Sequence, residues 1–480
     1  MTSIEKYIDN KIVTSSSQVI GYCEETLHLT NSAARKRIQR LPIDIYKIKG
    51  ICRDGQSILY HKNHWGTSEY FDTLVDVLKR EASQHYFVYN AIKVHHGIIT
   101  KDRLIEYSVS PNGNIKGHKN IDSIINDLES LHLIEKQDDN YILKQEWNYE
   151  LSARALNLIQ DITIEHFQEW GRNIGLFSYN SAKYHHTISS YQFALVATSY
   201  VKTLIQQSNN GKPIPAFVVA DIMLNRSINE LDVQFIIHKL ENVITRNRGI
   251  KIIPFLLIGT HHQEVYKTLK SKGIIVGNID ELFGNKYSES LYGIMNLMEN
   301  AGAILKSNPE QYLKLMNDVH KLATGKTYNL KGELFEMAVG YYHGQLCQSL
   351  EISKRIIYDN KEREIDVYAV YQDRIVFAEC KGYNSQIDKD YIENWLSAKI
   401  PTIRQWALSC ESIKNKRLVF EIWSTGGFTN DANIKLAEAS RKVTKYRIDF
   451  YNSSDMIKKA RDCNMQHFVD IINQFYNNKV

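Results

Sequence analysis

Long apolar runs are missing from this 480-residue chain. None reaches the roughly 20 residues that a membrane-spanning helix needs, so no membrane association is expected. MTSIEKYIDNK at the N-terminus lacks the apolar stretch of a secretory leader, and none is read. Cysteine is sparse and scattered: Cys23, Cys52, Cys347, Cys380, Cys410 and Cys463 include no C-x-x-C pair. That spacing argues against a zinc site and a disulfide framework, and for a reducing, cytoplasmic setting. A dominant charge is absent too. The 59 Lys and Arg nearly balance 54 Asp and Glu, leaving +5. Any nucleic-acid surface must therefore be a local patch. The histidine pairs (His95-His96, His185-His186, His261-His262) are adjacent in sequence, so their side chains point apart and are not read as metal ligands. What remains is an ordinary globular composition, 43% apolar and 24% charged, long enough for about two to four domains.

The most informative stretch is EREIDVYAVYQDRIVFAECKG, Glu362 to Gly382. Its period-two pattern predicts two strands joined by a tight turn at Gln372-Asp373-Arg374. Alternation puts Ile375, Phe377, Glu379 and Lys381 on one face, and Val376, Ala378 and Cys380 on the other. An acid and a base thus leave a mostly apolar strand on the same side. Asp366 lies in the preceding strand between Ile365 and Val367. Upstream, Gly332 to Gly344 reads as a helix with Glu333 and Glu336 one turn apart.

A helical Glu, an Asp on a strand, then Glu-x-Lys on the next strand resembles the PD-(D/E)XK nuclease superfamily, the restriction-endonuclease-like fold, in its Mrr-type form. The resemblance runs from about Leu330 to Asn452. It implies that Asp366 is the first acid, Glu379 the second and Lys381 the lysine. Glu336 best matches the helical acid, with Glu333 the alternative. Ile365 stands where the superfamily's name has proline.

The residue types support the same chemistry. Carboxylates and a backbone carbonyl suit Mg²⁺ or Mn²⁺, hard ions that take oxygen ligands. Asp366, Glu379 and the Cys380 carbonyl are the candidate ligands, with Glu336 reaching the ion through water. Such an ion lowers the pKa of bound water and stabilises charge on a phosphate oxygen. Lys381 is placed to orient the attacking water or to stabilise developing negative charge.

The N-terminus, residues 1–65, reads as three helices and a hairpin, resembling a winged helix-turn-helix. The helices expected are Ile4 to Ile12, Gln18 to Leu27, and SAARKRIQRL after an N-cap at Thr30-Asn31-Ser32. IYKIKGICRDGQSILYH then reads as two strands around Asp54-Gly55. The third helix exposes Arg35, Lys36, Arg37 and Arg40, side chains suited to phosphates and guanine edges. Residues 70–148 repeat the plan with an acidic third helix, Asn120 to Leu131. This second unit reads as a spacer or dimerisation module, although Lys116, His118 and Lys119 remain candidate backbone contacts.

Residues 149–285 read as an α/β domain: a helix from Glu150, a helix over Tyr191 to Gln207, strands at Pro213 to Leu224 and Ile250 to Gly259, and helices at Val233 to Thr245 and Gln263 to Lys272. Its rhythm parallels the C-terminal core. VVADIML aligns with VFAECKG, which puts Asp221 at Glu379 and Met223 at Lys381, so the middle domain reads as a degenerate nuclease-like core or as an unrelated α/β unit. Residues 286–329 form a helical connector, ending in the linker TGKTYNLKG. Within residues 330–480, Asp388 to Leu408 is expected as a helix kinked near Pro401. Lys399, Arg404 and Gln405 on it face either the site or solvent.

The expected fold class is thus multidomain α+β and α/β. The expected function is a metal-dependent DNA endonuclease. The resemblance implies a role in restriction or phage defence, and a homodimer or a partner ATPase or sensor protein. The alternatives are a DNA-binding or scaffold protein with a non-catalytic nuclease-like core, or an RNA nuclease.

Overall fold

The computed structural model describes residues 2–113, 119–144, 150–202, 205–207, 210–225, 227–247, 249–259, 263–310, 312–314 and 328–476, with only the backbone for 328–331 and 333. The chain divides into two compact units, Met1–Gly284 and Asn285–Val480. Both contain mixed α/β layers, and no helix among the described residues is long and apolar enough to cross a membrane.

The first unit opens with the helix Ser3–Lys11, strand β1 (Val13–Ser15), helices Ser16–Glu25 and Asn31–Gln39, then β2 (Ile45–Ile48) and β3 (Ile58–His61). The sheet order is β1-β3-β2. The second helix starts earlier than the apolar pattern implies because Ser15 and Gln18 form a capping box. The expected tight hairpin at Asp54-Gly55 is instead a longer connection, with Ile48 opposite Ile58. Asp54 and Gly55 both have positive φ, but in a 3-10 turn (Arg53–Gly55) outside the ladder.

After the helix Ser68–Glu81 the plan repeats: helix Ser83–Val94, β4 (Ile98–Thr100), helices Lys101–Glu106 and Ile121–Ser130, β5 (Ile134–Gln137) and β6 (Asn140–Leu143). The order is again first, third, second: β4-β6-β5. Short polar contacts join the two repeats. Lys119 Nζ donates to the Gly50 carbonyl (2.7 Å) and pairs with Asp127. Lys119 is therefore engaged within the protein, while Lys116 and His118 lie outside the described residues.

The long helix Glu150–Asn173 leads to β7 (Lys183–Ile188), β8 (Tyr191–Ser199), the short ribbon β9 (Gln206–Gln207) and β10 (Pro213–Ile214), β11 (Ala216–Met223), β12 (Ile252–Ile258) and β13 (Ile275–Asn278). The helix expected over Tyr191 to Gln207 is thus a strand. YQFALVATS lies mid-sheet and is buried along nearly its whole length, so the alternation that distinguishes a strand from a buried helix is lost.

In the second unit the helices Asn285–Glu299 and Ala301–Ser307 precede the helix Tyr328–Gly344. That helix begins inside the stretch read as a linker, whose first residues, 324–327, lie outside the described set. The core sheet follows: β14 (Ser349–Tyr358), β15 (Lys361–Val370), β16 (Arg374–Lys381), β17 (Arg417–Ser424) and β18 (Arg447–Asn452). Its order is sequential, antiparallel from β14 to β16 and parallel from β16 to β18. The middle sheet, β7-β8-β11-β12-β13, has the same order and the same strand senses.

Ile375 and Phe377 of β16 pack with Ile392, Trp395, Ile400 and Ile403 from the segment after the strand. That segment is a helix, Lys389–Asn394, a π turn, Trp395–Lys399, and a second helix, Ile400–Ser409. The expected irregularity is present and has a cause. Pro401 has no N–H and its ring crowds the carbonyl four residues back. The backbone widens, and Ile400 N–H reaches the Trp395 carbonyl. The helix Tyr328–Gly344 contacts β14, β15 and β16. The expected terminal helix, Ser454 to Tyr476, is divided into Ser453–Asp462, Gln466–Ile471 and a π turn, with Asn464 at positive φ between the first two.

Candidate active site

The β15–β16 ladder pairs Val367 with Ala378, which makes Asp366 and Glu379 the next cross-strand neighbours. Here the Cys380 N–H bonds to the Asp366 side chain: Oδ2 accepts it at 2.7 Å. The register on β14 is also interrupted. Ile352 faces Val367 and Lys354 faces Ile365, while Ser353, between them and opposite Asp366, has φ +52°. A non-glycine residue in left-handed backbone at a strand interior is costly and recurs at functional sites.

Both carboxylates are buried, Asp366 to 6% and Glu379 to 4% exposure. Buried charge requires partners, and Glu379 has three. Lys381 Nζ lies 2.9 Å from Oε1. The Tyr391 hydroxyl donates to the same oxygen at 2.6 Å, and Lys399 Nζ pairs with Oε2. Lys381 is also 3.8 Å from Asp366 Oδ2, so its ammonium lies between the two acids.

These contacts separate the two carboxyls. Burial, reinforced by the charge of Glu379, pushes Asp366 up to about 6, although Lys399, Lys381 and the Cys380 N–H oppose the shift. Burial would raise Glu379 as well, but Lys399 and Lys381 outweigh it and hold that group down at about 2. Burial works against the charge of both lysines, yet the two carboxylates raise each above the ordinary lysine range. Glu379 is therefore the firmly ionised acid, and Asp366 the one whose charge depends on what stands beside it.

Of the residues singled out by sequence, Asp366, Glu379 and Lys381 are brought together. Glu336 Oε2 accepts from Ser353 Oγ at 3.2 Å, and its charge acts with that of Asp366 on the buried Cys380 thiol. Among the described residues no three Asp, Glu, His or Cys side chains are close enough to hold an ion. The side chain of Glu333 lies outside the described set. Arg404 lies near Tyr446, and Gln405 is exposed.

Sequence reasoning missed Tyr391 and Ser353 and left Lys399 between site and solvent. A signal for Lys399 was present. It falls in the buried stripe of Ile392, Trp395 and Ile403, where a lysine needs an ionic partner.

The donor set suits a small hard cation only in part. Mg²⁺ commonly binds through one or two carboxylates and keeps several waters. Asp366 and Glu379 meet that requirement, and the Cys380 N–H binds Asp366 Oδ2 beside them.

The candidate nucleic-acid surface is on the first repeat. Arg35, Lys36, Arg37 and Arg40 are all exposed, on or just after the helix Asn31–Gln39. Arg35 Nε is steadied by Asn31 Oδ1 at 2.8 Å. Lys47 Nζ donates to the carbonyls of Ile38 and Gln39 at the end of that helix.

No protein-family model matches the chain, and no curated protein matches it. Solved structures do match. One is restriction endonuclease FokI bound to DNA, at 13% identity, covering 56% of this chain and 58% of that one, with a TM-score of 0.17. Another is restriction endonuclease FokI, at 11% identity, covering 86% and 95%, with a TM-score of 0.22. The chain thus spans 58% of the length of the first, and at these scores the likeness carries no argument.

Proposed function

We propose that this chain is a metal-dependent DNA endonuclease of the PD-(D/E)XK type, hydrolysing phosphodiester bonds at Asp366, Glu379 and Lys381. The observation that carries the reading is the convergence of these three side chains where β15 leaves β16, at the end of a buried mixed sheet. Asp366 and Glu379 are the residues that would hold Mg²⁺ or Mn²⁺. When bound, the ion supplies Lewis-acid stabilisation of a phosphate oxygen and a lowered water pKa.

The chain's own groups do the rest. Lys381 turns its ammonium from the gap between the acids toward the phosphate, countering the negative charge that grows there. Tyr391 and Lys399 hold the Glu379 carboxylate, at Oε1 and Oε2 respectively. The low exposure of both acids keeps bulk water from screening these charges. The first repeat is read as a DNA-contacting winged helix. The matching order and senses of the middle sheet support its reading as a degenerate core, with Ala194, Asp221 and Met223 standing where Asp366, Glu379 and Lys381 stand.

Plasmid cleavage by the purified protein tests the reading, with Mg²⁺, Mn²⁺ or EDTA. Asp366→Ala and Lys381→Ala are each expected to lower the rate by on the order of 10³-fold, several kcal/mol of lost charge stabilisation. EDTA is expected to abolish it. Cutting that persists in both variants would overturn the assignment. A second reading, a DNA-binding scaffold with a non-catalytic core, draws on the bond of Glu336 to Ser353. Inert wild-type protein that still binds DNA, under every metal and with RNA as well, would favour it.

A further inference from the structure

The first strand of each five-stranded sheet is interrupted at the same place. In β14 the break is at Ser353, opposite Asp366, with φ +52°. In β7 it is at His185, with φ +48°, between Tyr184 and His186, whose partners are Leu195 and Phe193. His185 therefore stands opposite Ala194, the position that matches Asp366 when the two sheets are compared strand for strand. In both cases the left-handed residue reaches a carboxylate on a helix. Ser353 Oγ donates to Glu336 Oε2 at 3.2 Å, on the helix Tyr328–Gly344. His185 Nδ1 bonds to Glu106 Oε1, at the end of the helix Lys101–Glu106.

A break in a strand ladder re-aims the side chain at that point, and such breaks gather beside active sites. This backbone is costly for serine, whereas glycine adopts it freely. The break persists in β7 although the residue opposite is alanine, so it does not serve the opposite acid directly. What the two breaks share is the bond to a helical carboxylate. In the C-terminal sheet that bond links Glu336 to the strand neighbour of Asp366. The charge of Glu336 accordingly acts together with those of Asp366 and Glu379 on the Cys380 thiol. We propose that Ser353 is a positioning residue of the candidate active site, holding Glu336 beside Asp366 as the acid that meets a bound Mg²⁺ or Mn²⁺ through water. This rests on the metal-dependent reading above, and deepens it.

The test is Mn²⁺ binding by the full chain without DNA, read from the loss of the free-ion EPR signal. The binding counted is that which vanishes in Asp366→Ala, and urea unfolding gives the stability of each variant. Ser353→Ala removes the hydroxyl and keeps the backbone cost, whereas Ser353→Gly removes both. Ser353→Asn keeps a donor in a residue that tolerates this backbone. The Ala and Gly variants are each expected to weaken Mn²⁺ binding by about 10–100-fold, as when a group that orients a metal site is lost. Of the two, Ser353→Gly is expected to unfold at the higher urea concentration, and Ser353→Asn is expected to recover most of the affinity. In a Glu336→Gln background, Ser353→Ala is expected to add no further loss. A merely structural role would make affinity follow stability. A folded Ser353→Gly protein that binds Mn²⁺ and cuts plasmid as wild type does would therefore overturn the proposal. So would losses from Ser353→Ala and Glu336→Gln that add in full. Wild type that binds no Mn²⁺ would instead favour the scaffold reading, which draws on the same bond, and would remove this proposal with the metal reading.

Discussion

Lys239 is completely buried, yet it is not a strain point, because every direction around its ammonium is met. It pairs with Asp221, donates to the carbonyls of Glu106 and Gln192 at 2.8 Å each, and lies 4.2 Å from the Phe193 ring centroid. Burial pushes Lys239 down and Asp221 up to about 6, and each partner opposes the other's shift. The pair occupies the part of the middle sheet that corresponds to Glu379 and Lys399 in the C-terminal one. Glu106 belongs to the helix Lys101–Glu106 of the second repeat, so the pair also ties that repeat to the middle sheet. Removing one member of such a pair strands the other charge. Lys239→Met is expected to destabilise the first unit by about 3–5 kcal/mol, and Lys239→Met with Asp221→Leu by less than that. Urea unfolding of the full chain measures both, and an equal cost for single and double variants would contradict the pairing.

At the scale of elements, the two repeated helix–strand units share a plan but not a charge. The helix Asn31–Gln39 presents its basic side chains to solvent. Its counterpart, Ile121–Ser130, carries Asp122 and Asp127, which are engaged by Lys101, Lys119 and His85. One helix shows its charges to solvent, and the acids of the other are met within the protein. Arg35→Ala, Arg37→Ala and Arg40→Ala are each expected to weaken duplex DNA binding. For every phosphate that is no longer neutralised, the slope of log K against log salt should fall in magnitude by about 0.9. Fluorescence anisotropy over a salt series reads this directly, and unchanged slopes would move the DNA surface elsewhere.

For the molecule as a whole, the duplicated sheet order bears on how many reactive centres the proposed function gives one chain. On the proposed reading of the middle sheet as a degenerate core, an acid, Asp221, stands at the place of Glu379, but the position of the first acid is Ala194, whose N–H bonds to Asp221 at 3.0 Å. Met223 fills the place of the strand lysine, with no exposure. Asp221→Asn is therefore expected to leave the metal-dependent cutting rate within about twofold of wild type per folded chain, while Asp366→Asn removes it by on the order of 10³-fold. Comparable losses in the two variants would mean that both cores act.

Much of this was legible in sequence because it depends on local pattern. Alternation around Glu379 and Lys381 is a property of the strand itself, and the basic helix is announced by its N-cap and composition. Strand pairing was less legible. β1, β4, β7 and β14 are short, edge-lying or mostly polar, and YQFALVATS is buried too evenly to show a period. The sequence by itself determined which residue types could do chemistry, and that an acid and a lysine leave one strand on the same face. Only the tertiary structure decided that Asp366 closes the fork beside Cys380, that Lys399 reaches Glu379, and that Glu336 accepts from Ser353. The reason is physical. Such contacts join positions far apart in the chain, and their geometry is set by strand register and by the extra width of one π turn, neither of which any single segment specifies.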